Sequence, residues 1–220
     1  MIIMQRLNRF TELTEDWSFI AQHDGWSPAV SAISTKLLSL LYQRRQFIVI
    51  ARSLLTPLPD LQPKIDLEIR PFKPADLDLI QGFDFPSDVK LCARRLKCGH
   101  RGVLALVQGH FAGYAWTYTA AQPALDHVRF DLASGDVLLL SDYTVPAFRG
   151  QGVQTALILA RLRMFLHMGY QRAFTCVHKQ NSPSLAAYRK VGGHDYGVMD
   201  DLRIGPCRRA QFRQLGAMHD

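Results

Sequence analysis

The segment Thr144-Val-Pro-Ala-Phe-Arg-Gly-Gln-Gly-Val-Gln154 sets two glycines, Gly150 and Gly152, between an apolar run and a helical pattern. Glycine has no Cβ, so a ligand can approach the backbone closely. The first N–H groups of a helix lack intrahelical partners and sit at the positive end of its dipole, so such a turn binds anions, a pyrophosphate among them. Further along, Asn181, Ser184 and Tyr188 recur at offsets of three, four and seven residues, which bring side chains onto one helical face.

Each feature alone has other readings. A phosphate-cradling loop of the GxxxxGK[ST] type needs Lys-Ser or Lys-Thr after its glycines, and neither is present. A dinucleotide fingerprint needs a third glycine where Thr155 stands and an acidic residue about 20 positions on, where the chain has Thr175-Cys-Val-His178. A strand-to-helix turn without a ligand also fits the glycines. An Asn/Ser/Tyr stripe by itself is more often a helix cap and a tyrosine at the edge of the core. The cysteines, Cys92, Cys98, Cys176 and Cys207, form neither a CxxC pair nor a Cys/His ligand spacing, so free thiols and no metal are expected.

Taken together, the two segments resemble the GNAT superfamily of N-acetyltransferases. Thr144-Val-Pro146 followed by Arg149-Gly-Gln-Gly152 fills the R/Q-x-x-G-x-G/A motif that follows a strand ending in hydrophobic-x-Pro. Asn181-Ser-Pro-Ser184-Leu-Ala-Ala-Tyr188-Arg-Lys-Val-Gly192 fills N-x-x-S-x-x-x-Y-x-x-x-G. The likeness covers roughly residues 66–200. Gln154 departs from the usual Gly or Ala and narrows the space beside a pyrophosphate; Gly193 stands where an aromatic is common. The resemblance implies a mixed α/β sheet of the acyl-CoA N-acyltransferase type, with acetyl-CoA as cosubstrate and no metal. It implies direct acetyl transfer to an amine acceptor, with acetyl-CoA held by Tyr143, Thr144, Arg149, Gly150, Gln151, Gly152, Val153, Gln154, Thr155, Asn181 and Ser184.

The chemistry that follows needs an N–H donor for the thioester oxygen, which the backbone near Tyr143 or Thr144 offers. It also needs a proton for the leaving thiolate. A phenol stays protonated at neutral pH, which makes Tyr188 the expected general acid. The base stays open. Strand positions that often carry Glu or His in the family hold Leu138 and Leu140, and another common base position holds Cys176. Strand alternation puts Asp142 on the face of Leu138, Leu140 and Thr144, so Asp142 is one candidate. His178, an imidazole, is the other. An amine arriving deprotonated would need neither. The acceptor is not readable: a small amine, a peptide N-terminus and a lysine side chain all remain open. Tyr114, Trp116 and Tyr118 alternate on one strand and could line its pocket, although such a pattern is more often core.

These groups need elements to position them. Ile65, Leu67 and Ile69 alternate as a strand, and Pro74 opens a short helix to Ile80. Two strands, Gly102–Val107 and Phe111–Tyr118, flank a tight turn at Gln108–Gly109. A long strand runs from Val137 to Val145 and stops at Pro146. A helix from Gly152 to His167, closed by Gly169, a strand from Arg172 to His178, and a helix from Pro183 to Val191 with Ser182 as N-cap complete a strand–helix–strand–helix unit. Tyr196–Met199 adds a final strand. Upstream, Ser34 or Thr35 caps a helix from Lys36 to about Gln46, and Phe47–Ala51 reads as a buried strand. Trp17 and Trp26 are packing residues.

Composition bounds the rest. The chain has 220 residues, 48% of them hydrophobic, which is enough for a core. The segment Thr56–Pro63 holds three prolines and divides an N-terminal extension and linker (1–63) from an acetyltransferase-like domain (64–205), with a basic tail at 206–220. No membrane-length apolar run and no leader pattern are visible, so a cytoplasmic protein with no membrane partner is expected. The N-terminal extension suits packing or homodimer formation. Lys and Arg number 26 against 19 Asp and Glu, a net charge of +7 that attracts anions. Lys90, Arg94, Arg95, Lys97 and Arg101 form one basic cluster, and Arg208, Arg209 and Arg213 another. Solvated faces account for both before a nucleic-acid partner does. The competing readings are therefore a nucleic-acid-binding module or a non-catalytic CoA-binding fold.

Overall fold

The computed structural model describes residues 42–82, 86–123, 131–204 and 207–215. In chain order, β1 (Tyr42–Ser53) is followed by β2 (Glu68–Pro71), and a 3-10 turn at Pro74–Asp76 leads into α1 (Leu77–Ile80). Then come α2 (Pro86–Lys97), β3 (Arg101–Val107), β4 (His110–Thr119) and β5 (Asp136–Thr144). The last third holds α3 (Val153–His167), β6 (Arg172–His178), α4 (Ser182–Lys190), β7 (His194–Ile204) and β8 (Cys207–Gln214).

The strands form one mixed sheet in the order β2-β3-β4-β5-β6-β1-β7-β8. Among the described strands only β5 and β6 pair in parallel, because α3 carries the chain back between them. Leu159, Leu162 and Phe165 of α3, Leu185 of α4 and Val191 at its C-cap pack with Val137, Leu139, Ala173 and Val177 on one face. Cys92 of α2 and Ile80 of α1 pack with Leu104, Tyr114 and Trp116 on the other. Tyr114, Trp116 and Tyr118 are 5%, 0% and 3% exposed, so these aromatics are core and line no acceptor pocket.

The ends of the chain depart from the sequence expectation. The helix expected to run to Gln46 gives way to strand from Tyr42 onward, where Tyr42–Gln46 pair with Ile204–Asp200 of β7. Ser34, Thr35, Trp17 and Trp26 lie outside the described residues. β1 is not an appendage: it inserts between β6 and β7, pairing antiparallel with both. The proline-rich segment therefore joins two parts of one sheet. Much of the expected tail is strand as well, since β8 pairs with β7 along Gly197–Ile204. On α4 the cap is Asn181, whose side chain accepts the Ser184 N–H at 3.2 Å, and not Ser182.

Candidate functional site

The site begins where β5 leaves its neighbour. β5 pairs with β6 only from Asp136↔Arg172 to Leu139↔Thr175. Just beyond, Ser141 adopts φ +50°, and Ser141 and Asp142 together stand opposite Ala115 alone, since Trp116 pairs with Leu140 and Tyr114 with Tyr143. This β-bulge adds one residue to β5 and reverses which face the next side chain meets. Asp142 therefore joins the α3/α4 face of Leu139, while Leu138 and Leu140 pack on the other face. The alternation that put Asp142 beside Leu138 and Leu140 fails for this reason. Ser141 turns the other way and accepts a bond from Arg95 of α2 at 2.6 Å.

The parted strands open onto a cleft of about 1060 Å³ between the N-termini of α3 and α4. Its floor holds a buried polar group of three. The Arg161 guanidinium, fully buried, meets Asp142 Oδ1 at 2.7 Å and also donates to the Trp116 carbonyl at 2.8 Å. The Tyr188 hydroxyl donates to Asp142 Oδ2 at 2.6 Å. Burial works against the Arg161 charge, but Asp142 and Tyr188 more than reverse this and hold it above its ordinary range. Burial and then the Asp142 carboxylate push the Tyr188 phenol well above its ordinary value, so it is protonated throughout the neutral range.

The glycine turn forms the opposite wall. Gly150 and Gly152 have φ +74° and +91°, and Gly152 caps α3 in the left-handed region, where a side chain is strained. A Cβ on Gly150 would meet nothing within 4 Å, so this backbone is open to a ligand. A Cβ on Gly152 would lie 3.0 Å from Pro63 Cα; the space there is taken by the chain itself. The turn, the helix terminus and the open backbone suit a pyrophosphate. Val145 N–H bonds to the Ala112 carbonyl of β4, so strand alternation turns the Thr144 N–H away from β4, toward the parted side.

Of the residues singled out in the sequence, Asp142, Tyr143, Thr144, Arg149, Gly150, Gly152, Val153, Gln154, Thr155, His178, Asn181, Ser184 and Tyr188 line this one cleft. Gln151 does not. Its side chain bonds to the Ala147 carbonyl and its own carbonyl accepts the Lys64 N–H. The Tyr143 ring stacks on Phe111 and Tyr114, leaving its backbone to the cleft. Gln154 spans the two helices, donating to Ser184 Oγ at 3.1 Å and reaching Asp142 at 3.5 Å. His178 accepts the Gln180 N–H at Nδ1 (3.3 Å) and packs edge-on to Phe47. Cys176 also lines the cleft, and burial pushes its thiol up to about 12, leaving it neutral.

Sequence reasoning missed Arg161 and Lys64. Arg161 had a signal: Val153, Leu157 and Arg161 are spaced by four on the apolar stripe of α3, and a charge there needs a buried partner. Arg95, counted in a basic surface cluster, is 1% exposed and sits over the Trp116 ring. Among the described residues no His, Cys, Asp and Glu side chains group as a metal site. Nor is any described helix long and apolar enough to cross a membrane.

Residues 67–193, more than half of the chain, match the family model described as the acetyltransferase (GNAT) family. None of the curated proteins matches the sequence at a significant level. Among solved structures, a GCN5-related N-acetyltransferase from Sphaerobacter thermophilus is similar over 85% of this chain and 58% of that one, with TM-score 0.55 and 17% identity. A Drosophila protein is similar over 80% of this chain and 57% of its own, with TM-score 0.52 and 16% identity. The chain thus spans somewhat over half the length of these structures, and the likeness is one of fold.

Proposed function

Because this chain belongs to the GNAT family of acetyltransferases, we propose that it transfers an acetyl group from acetyl-CoA directly to an amine. The observation that carries this reading is the meeting, in one cleft, of the parted β5–β6 strands, the open glycine turn and the Tyr188 hydroxyl. When bound, acetyl-CoA supplies an acetyl group activated as a thioester. The chain's own residues supply the rest. The backbone of Gly150 and the first N–H groups of α3 face a pyrophosphate. The Thr144 N–H is available to a carbonyl oxygen that gains charge. Tyr188 holds a proton for a leaving thiolate, and Asp142, whose other oxygen faces Arg161, orients the hydroxyl that carries it. Gln154 joins α3 to α4 where the family usually has Gly or Ala, which sets the width of the cleft.

The acceptor is an amine whose class a screen must identify. Calorimetric titration with CoA, followed by thiol release from acetyl-CoA against small amines, peptide N-termini and lysine peptides, tests the reading. Binding with turnover of at least one amine is expected. Binding without turnover across the panel would instead favour a non-catalytic CoA-binding protein.

A further inference from the structure

The proline-rich segment lies along α3 and reaches the glycine turn. Leu58 and Leu61 pack against the cluster that contains Leu159 and Leu162, and Ile65 and Leu67 pack against the one that contains Val153 and Leu157. Between these anchors the Lys64 N–H donates to the Gln151 carbonyl at 2.9 Å. Pro63 fills the space that the absent side chain of Gly152 leaves, so strap and turn meet at a spacing that glycine permits without displacement. Lys64 is thereby held at the rim of the turn, where Lys64 and Gln62 line the same cleft as Gly150 and Gly152. Its side chain is exposed and enters no ion pair with a described residue.

We infer that Lys64, assisted by Gln62, contacts the pyrophosphate of the cosubstrate. The cation then comes from a segment that precedes the family match at residue 67. This assignment rests on the reading that the cleft takes CoA. Besides Arg149, whose Nε donates to the Thr144 carbonyl at 3.3 Å, the glycine turn offers only backbone dipoles, and a lysine ammonium adds a mobile point charge that binds phosphate. The strap is anchored by apolar contacts and a backbone bond that do not involve the ammonium. The backbone is therefore ordered before the ligand arrives, and binding has only the side chain left to order.

The test is calorimetric titration of wild type, Lys64→Ala and Lys64→Arg with CoA and with dephospho-CoA, at low and high salt. Lys64 is exposed and its backbone bond survives substitution, so both variants fold. Lys64→Ala is expected to weaken CoA binding about five- to tenfold at low salt, with the penalty shrinking as salt rises. The same penalty is expected with dephospho-CoA, and Lys64→Arg recovers most of it. Equal CoA affinity in wild type and Lys64→Ala overturns the role of the strap and leaves the transferase reading standing. A wild type that fails to bind CoA overturns both. A penalty that vanishes with dephospho-CoA overturns the pyrophosphate assignment, because only the ribose phosphate then feels Lys64.

Discussion

The Tyr188 hydroxyl lies 2.6 Å from Asp142 Oδ2, and the other oxygen of that carboxylate faces the buried Arg161 guanidinium at 2.7 Å. A phenol on α4, a carboxylate on β5 and a guanidinium on α3 thus lock three elements at the floor of one cleft. The carboxylate cannot float: its two oxygens are committed to different partners. That commitment orients the phenol, and burial, with the Asp142 carboxylate second, keeps it protonated, which is what a proton donor at neutral pH requires.

Replacing Tyr188 by phenylalanine removes the donor and keeps the ring. Turnover with acetyl-CoA and a competent amine should fall by about 10²–10⁴-fold, the usual worth of general acid catalysis. CoA affinity, measured by calorimetry, should change little, because the turn and helix terminus are untouched. Unchanged turnover would remove Tyr188 from the chemistry.

The Asp142–Arg161 pair should show strong coupling. Asp142→Asn leaves a fully buried guanidinium without its carboxylate, and breaking such a pair from one side costs about 3–5 kcal/mol. Arg161→Gln strands the carboxylate instead. The double substitution removes both charges, so its loss of stability in denaturant should be well below the sum of the two single losses. Additive losses would mean the charges do not depend on one another.

Local pattern carried much of the fold. Glycines at both ends and a continuous apolar stripe made α3 legible, and the strand read at Arg172–His178 is β6 with those bounds. What escaped depends on partners remote in sequence. β1 is central only because β6 and β7, more than a hundred residues later, pair with its two edges. β8 reads as a basic tail because an edge strand with exposed residues has little apolar signature. Asp142 was assigned to the wrong face because a bulge of one residue inverts alternation without any mark in composition. The cleft residues were nonetheless found, since turn glycines and helical spacing are local properties.

Acid should expose a different ion pair. Arg70 holds Asp76 with two bonds, at 2.7 and 2.8 Å, and the Lys73 N–H adds a third, so the Asp76 carboxyl lies below the usual carboxylate range, with Arg70 as the main cause. A carboxyl depressed in the folded state stabilises fully above its unfolded pKa, about 3.9, and loses that contribution as pH falls through the folded value. Asp76→Asn should therefore be less stable than wild type at neutral pH, with the gap closing below about pH 4. A gap that stays constant down to strong acid would show that the charge of Asp76 contributes nothing.

His178 offers the sharpest choice among bases. Its Nδ1 accepts the Gln180 N–H at 3.3 Å, so the neutral ring carries its proton on Nε2. To accept a proton at Nε2, the ring would need the opposite tautomer, which points an N–H at the Gln180 N–H. The nitrogen left for a substrate is thus a donor. His178→Ala should keep turnover within about threefold of wild type, far short of the 10²-fold or greater loss that removal of a general base produces. A loss of that larger size, with CoA binding intact, would make His178 the base and require the Gln180 contact to break during turnover.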